Sequence, residues 1–416
     1  MSCFFGLNDK ISSMTYNSSE NNIVATQEFV CPDTQAGAGV NTLISLALSP
    51  DHLHLIGAFS NKAVVCWDVR TGALMGQAVV HKKPTALLCS TLPEHLSDQV
   101  QGGGGGLPHF ALVSDKGGEV WAYGLPSLSV VCKVLGHTSS VITDMTLAPQ
   151  GNRIVTADRD EKIRLTAFPA TSTIAGFCLG HTDVVTSMSF VPPPAASAPV
   201  LPPLLVSSGW DHRLCLWDAE HCEQLDVLEL ASSSSSSTTS QDQGQDQGGE
   251  QPDAKEQEDE AAADKVYDET KAGHFPLRIV SCSGSGSGGQ GQGQGQGGLF
   301  AVLFWHKPEI HLRQVVRAGQ GQGQARFLRR EGGDGQGQEQ EQECAVLALP
   351  AAPIDCMFVE EDGRVLLLVL LPAPHYLLTV TCSLTPGAGA GTGGEEEGKW
   401  AAVARHFAAV AAQNGE

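Results

Sequence analysis

Between residues 43 and 218 the chain repeats one short grammar of apolar and polar positions. An apolar strand is followed by a second strand ending near a turn, an Asp or Asn, a third strand, and a fourth leading to His. The segments are LISLALSPDHLHLIGAFSNKAVVCWDVRTG (43–72), FALVSDKGGEVWAYGL (110–125), VITDMTLAPQGNRIVTADRDEKIRLTAF (141–168) and a last one at 183–218 that ends in LLVSSGWDHRLCLWD. Runs of five or six apolar and β-branched residues bounded by turn residues predict short strands rather than helices. Four such strands recur in about 40 residues, a period that predicts an array of small sheets around one core.

Two dipeptides sharpen this reading. Gly136-His137 and Gly180-His181 precede the first strand of a repeat, and Trp67-Asp68 and Trp217-Asp218 end the third. Repeats with these marks are WD-type propeller blades, so the fold class is all-β, a seven-bladed WD-repeat β-propeller. In such a blade the turn Asp, the His, a Ser or Thr of the second strand and the Trp of the third form one buried hydrogen-bond chain, which fixes the strands only if every member is satisfied. The expected sets are His181, Ser207, Asp211 and Trp217, and His137, Thr156 and Asp160, the second lacking its Trp because Thr166 stands in the slot. The histidines are therefore read as structural, not as metal ligands or catalysts.

Beyond Leu230 the pattern fades into a Ser run and Gly/Gln-rich acidic sequence. Tracts 231–263, 283–298 and 318–343 have a composition that cannot bury enough apolar surface to fold and are expected to be disordered insertions. Between them FPLRIVSC (275–282), LFAVLFWHKPEIHLRQV (299–315), CAVLAL (344–349) and RVLLLVLL (364–371) are strand-like and predict two degenerate blades. Setting aside these tracts and 386–398 leaves 328 residues, about seven blades at the usual repeat length. The first 35 residues are expected to supply a poorly marked first blade or the strand that closes the ring. The propeller is thus assigned to 1–385, with clear blades at 43–230, and 386–416 to a Gly/Glu-rich linker and a short C-terminal helix. That helix is read from Trp400, Val403, Phe407 and Val410 at helical spacing, packing against the propeller wall.

The formal charge of −21 changes the picture less than its size suggests. Three acidic tracts, 241–264, 331–343 and 395–397, carry −16 of it and leave about −5 for everything else. A near-neutral body argues against a lone nucleic-acid binder and for a protein partner. Twelve cysteines without a C-x-x-C pair point to reduced thiols in a nuclear or cytosolic chain. No secretory leader is read at the amino end, and the longest apolar run, 365–371, is far short of the ~20 residues of a membrane helix, so no membrane is expected. GGGGG (102–106) and GSGSGG (284–289) lack the strand-turn-helix setting of a cofactor loop, and no G-x-S-x-G elbow occurs, so the chain is expected to have no cofactor and no catalysis of its own.

Family resemblance rests on 156–182, TADRDEKIRLTAFPATSTIAGFCLGHT, with LVSDKGGEVWAY and LGHTSSVITDMTLAPQGNRI upstream. The block ADRDEKIR followed by FCLGHT resembles the WD-repeat non-catalytic subunit of tRNA (guanine-N7) methyltransferase, closely over 107–218 and faintly elsewhere. The resemblance implies a scaffold that docks on and stabilises a catalytic subunit, the partner that binds S-adenosylmethionine, and helps position tRNA, in the nucleus or also in the cytoplasm. Equivalent turns of adjacent blades share a rim, which predicts a mixed-charge patch of Lys116, Asp158, Arg159, Glu161, Lys162 and Arg164. The resemblance places partner contacts at Lys116 and Arg164. Trp67-Asp68-Val69-Arg70 resembles a motif by which some WD proteins dock on cullin ubiquitin ligases, so a substrate receptor, or a generic protein-interaction scaffold, is the alternative.

Overall fold

The computed structural model describes residues 2–7, 9–17, 22–32, 41–91, 109–192, 202–230, 276–283, 298–304, 308–317, 325–327, 345–349, 351–353, 355–361, 364–371, 376–385 and 399–409. Among the described residues the strands form seven antiparallel sheets and no helix occurs. Blade 1 has three strands, β1 (Ser2–Leu7), β2 (Lys10–Asn17) and β3 (Asn22–Val30). Blade 2 is β4 (Leu43–Leu48), β5 (His54–Phe59), β6 (Ala63–Asp68) and β7 (Leu74–Val79), and blade 3 is β8 (Pro84–Thr91), β9 (His109–Asp115), β10 (Glu119–Gly124) and β11 (Ser129–Gly136). Blade 4 is β12 (Ile142–Leu147), β13 (Arg153–Asp158), β14 (Lys162–Ala167) and β15 (Ile174–Leu179); blade 5 is β16 (Val185–Phe190), β17 (Leu204–Gly209), β18 (Arg213–Asp218) and β19 (Glu223–Glu229). Blade 6 has five strands, β20 (Pro276–Ser283), β21 (Gly298–Phe304), β22 (Glu309–Arg317), β23 (Ala325–Phe327) and β24 (Ala345–Ala348), the last two both on β22. Blade 7 is β25 (Asp355–Glu361), β26 (Arg364–Leu370), β27 (Tyr376–Thr385) and β28 (Lys399–Ala409).

First strands of successive blades touch one another, β4 on β8, β8 on β12, β12 on β16, β16 on β20 and β20 on β25, as the spokes of a propeller do. The apolar core is divided into layers between neighbouring sheets. Ile11, Phe29 and Trp67 fill the layer between blades 1 and 2, Phe110, Leu112 and Ile154 that between 3 and 4, and Ile163, Leu165 and Trp217 that between 4 and 5. Because the middle strands are covered on both faces, their burial does not alternate, and β13 and β17 are buried at almost every residue. The outer strands β7, β11, β15 and β19 are largely exposed.

Three expectations are corrected. First, 399–409 is strand and not helix. The outer edge of β27 is a row of peptide groups that needs a partner, and ten register pairs from Tyr376↔Ala409 to Thr385↔Lys399 satisfy it, which outweighs the helix propensity of the alanines. Trp400, Val403 and Phe407 belong to that strand, and Val410 lies outside the described residues. Second, the tract 318–343 contains β23: Ala325 and Phe327 point inward, Phe327 is 1% exposed, and it packs with Val315 and Leu228. Third, the described strands include Ser283 and Gly298, so that insertion is one residue shorter at each end. Of the two roles expected for the first 35 residues, a poorly marked first blade or the strand that closes the ring, the first is the one observed, since β1, β2 and β3 form a sheet of their own. Tract 231–263 lies outside the described residues.

Candidate partner-docking rim

The hydrogen-bond chain expected in blade 5 is present. Trp217 Nε1–H donates to Ser207 Oγ (2.8 Å), Ser207 lies 2.8 Å from His181 Nε2, and His181 Nδ1 lies 2.8 Å from Asp211 Oδ2. The sequence of partners sets the tautomer, with Nδ1 protonated toward the carboxylate and Nε2 accepting from the hydroxyl. In blade 4, His137 Nε2 is 2.8 Å from Thr156 Oγ1, but the carboxylate 3.0 Å from Nδ1 is that of Asp158, not Asp160. A physical reason for the exchange lies at Gly209, which occupies in blade 5 the place of Asp158. A Cβ at Gly209 would come within 2.8 Å of both Asp211 Oδ1 and His181 Nδ1. The bare glycine lets Asp211 fold back onto the histidine; in blade 4 the residue at that place brings its own carboxylate. Asp160 is exposed.

This removes Asp158 from the docking patch as well. It is 3% exposed, and its Oδ1 accepts the N–H groups of Asp160 and Lys162. Burial pushes its pKa up, but the hydrogen bonds from His137 and from the backbone of Lys162 outweigh that and hold it below the ordinary carboxylate value.

Lys116, Arg159, Glu161 and Lys162 share one rim, that of the turns between second and third strands. The β9–β10 turn carries Lys116, exposed, and seats itself on the connection between blades 3 and 4, where Gly118 O accepts from His137 N. Gly118 has φ +76°, and a Cβ there would lie 2.3 Å from Ser140 O, so this close approach requires glycine. The β13–β14 turn carries Arg159, Glu161 and Lys162, all exposed, and Arg159 N donates to Val141 O at the far end of the same connection. Glu161 sits at φ 69°, a left-handed position shared by Lys62 and His212 in the equivalent turns of blades 2 and 5. The sequence reading missed the continuation of the basic arc: Lys116 N donates to Lys83 O, and Lys82 and Lys83 stand in the connection that leads into blade 3. The signal, two adjacent lysines after a fourth strand, was available.

Arg164 occupies a different setting. It lies on β14 facing blade 3, half-buried, with Nη1 donating to Gly136 O (2.9 Å) and Nε to Thr166 Oγ1 (3.0 Å). Desolvation lowers its pKa, and no carboxylate pairs with it among the described residues. Thr166, in the Trp slot, thus serves as a rest for the guanidinium, and Arg164 spans the cleft between blades 3 and 4 with no carboxylate of the described residues paired to its charge. Trp67 of the alternative motif is 3% exposed, and Asp68 accepts from Thr71 on the opposite rim. No group of His, Cys, Asp and Glu that could hold a metal occurs among the described residues, and none of their helices could cross a membrane, since they contain none.

Fold and site together define a WD-repeat β-propeller protein. The family model described as the tRNA methyltransferase TRM82 WD40 domain matches residues 128–274. Curated relatives are tRNA (guanine-N(7)-)-methyltransferase non-catalytic subunits: WDR4 of Homo sapiens, 39% identical over 29% of this chain and 28% of the relative, and wdr4 of Xenopus laevis, 30% identical over 47% and 44%. WDR4 of Mus musculus is 28% identical over 52% of this chain and 48% of its own. The chain therefore spans less than half the length of the curated relatives it matches. Among solved structures, one described as the crystal structure of the mitotic checkpoint complex shares the fold over 88% of this chain and 82% of its own, with a TM-score of 0.51 and 11% identity. The resemblance to the non-catalytic WD-repeat subunits of tRNA (guanine-N7) methyltransferase, read from 107–218, is borne out, and these comparisons favour it over the ubiquitin-ligase alternative.

Proposed function

We propose that this chain is the non-catalytic scaffold subunit of a tRNA (guanine-N7) methyltransferase complex. It docks on the catalytic subunit and stabilises it; that partner binds S-adenosylmethionine, and the propeller helps position the tRNA. A nuclear location, or a cytoplasmic one as well, forms part of the same proposal. The observation that carries it is Arg164: a half-buried guanidinium in the cleft of blades 3 and 4, short of a carboxylate, inside the segment that matches the family model. A carboxylate from a docked protein would complete it, and Lys116, Arg159 and Lys162 on the adjoining rim provide the same sign of charge.

Rim pairs left in water contribute about 0 to 1 kcal/mol, whereas a hydrogen-bonded pair desolvated by docking costs roughly 2 to 5 kcal/mol when one member is lost. Arg164→Glu is expected to keep the fold, weaken the complex with the catalytic subunit and lower methylation in proportion to lost complex. Arg70→Glu, exposed on the opposite rim, should bind as the unaltered chain does. Binding measured beside melting curves at matched salt checks this, and equal affinity for Arg164→Glu would place the partner elsewhere.

A further inference from the structure

Of the twelve cysteines in the sequence, two meet across a blade junction. Cys178 lies on β15 of blade 4 and Cys222 in the turn between β18 and β19 of blade 5, and both belong to the apolar layer between those blades. Gly176 and Cys178 pair with Leu165 and Ile163 of β14, and as alternate residues of β15 they face the same side of the strand. A Cβ at Gly176 would lie 2.5 Å from Cys222 Sγ, so the missing side chain is what lets that sulfur settle on the strand beside Cys178.

The two sulfurs are not alike. Cys178 is 1% exposed, whereas Cys222 is half-buried in a turn that holds it at φ 59°. Burial pushes both pKa values up. The hydrogen bond between the two thiols adds to that at Cys178 and opposes it at Cys222, the signs expected when the Cys178 S–H donates to the Cys222 sulfur. Arg153 also lowers Cys222, against the smaller opposing effect of Asp218. From β13 of blade 4 its Nη1 donates to Ala219 O (2.7 Å) and Glu220 O (3.1 Å), the backbone of the turn that carries Cys222. The sulfur that solvent can reach is thus the one that ionises more easily, and a second thiol already touches it.

We propose that Cys178 and Cys222 form a reversible disulfide that staples blade 4 to blade 5, with a small-molecule disulfide, glutathione disulfide, as the oxidant. The Cys222 thiolate attacks one sulfur of the oxidant, which forms a mixed disulfide and releases one glutathione thiolate. The Cys178 thiolate then attacks the Cys222 sulfur, which forms the protein disulfide and releases the second. Two protein thiols are oxidised, one glutathione disulfide is reduced to two thiols, and the two protons lost by the cysteines go to the leaving thiolates. Because the thiolate is the attacking form and both groups ionise reluctantly, the exchange is slow, but contact between the sulfurs favours closure once it starts. The bond closes a loop from 178 to 222 across two sheets, which restricts the unfolded chain more than the folded one.

The test is peptide mapping of the full chain after equilibration in glutathione buffers from reducing to oxidising, followed by acid quenching, alkylation in denaturant and digestion without reductant. A peptide pair joined at Cys178 and Cys222 is expected to grow with the proportion of glutathione disulfide and to vanish on return to reducing buffer. Cys132, exposed on blade 3, should carry glutathione in the same oxidised samples and so report that the oxidant acts. The oxidised chain should melt a few degrees above the reduced one, and Cys222→Ser should abolish both the joined pair and that rise. The map of the unaltered chain decides the matter even if Cys222→Ser folds poorly. Cys178 recovered as a free thiol in every buffer, whether or not Cys222 carries glutathione, overturns the staple, and so does Cys178 joined to any other cysteine.

Discussion

One glycine decides which carboxylate closes the buried network. The histidines, Ser207, Thr156 and Trp217 were legible because the repeat spacing follows from side chains that must meet. Asp158 and Asp160 were not separable by spacing, since both are turn acids two residues apart; the space above Gly209 distinguishes them. Removing Asp158 leaves the buried His137 Nδ1–H and two backbone N–H groups unpaired, so Asp158→Ala is expected to cost about 1 to 3 kcal/mol per stranded buried group, while Asp160→Ala stays within about 0.5 kcal/mol. Paired thermal melts check the order. The same group sets a pH dependence. The folded-state pKa values of Asp158 and Asp211 are held below the unfolded value, so their stabilisation is present above about pH 4 and is lost as pH falls through the lower folded values. Asp158→Ala should flatten that acid limb, and a limb of unchanged slope would remove Asp158 from the account.

Elements were read best where repeats are well marked. Every strand of blades 4 and 5 follows from the apolar runs and their turns, and β20, β21, β22, β24 and β26 were visible as isolated apolar runs. Failures fall where an edge, not a local preference, chooses the structure. The alanine-rich 399–409 reads as helix by itself and is strand because β27 offers ten partners. Ala325–Phe327 reads as part of a Gly/Gln tract, because three residues carry no period; β22 supplies it, and Phe327 N also donates to Asp226 Oδ2 of blade 5. Phe327→Ala is accordingly expected to cost about 3 to 5 kcal/mol. Deletion of 231–263 should by contrast leave the denaturation midpoint nearly unchanged, since doubling loop length changes closure by about 0.6 kcal/mol. Chemical denaturation of both variants checks the contrast, and a neutral Phe327→Ala would return 318–343 to the insertions.

At the scale of the whole molecule, the charge of −21 conceals a rim of opposite sign. Most of the negative charge sits in three tracts, while Lys82, Lys83, Lys116, Arg159 and Lys162 line successive turns of blades 3 and 4. The propeller and the family resemblance were legible because four repeats of about 40 residues and a 27-residue block are long signals. The candidate rim was legible only in part, because burial depends on which turn carboxylate closes onto the histidine, and that of Asp158 does so and leaves the surface. The central claim, a scaffold whose partner performs the chemistry, is tested most directly by reconstitution. Methyl transfer from labelled S-adenosylmethionine to guanosine N7 of tRNA is measured with this chain, with the catalytic subunit, and with both. The account predicts no transfer by this chain and a rate for the mixture well above that of the catalytic subunit by itself, falling with Arg164→Glu as the complex is lost. Transfer by this chain without the partner, or a rate that its addition leaves unchanged, would contradict it.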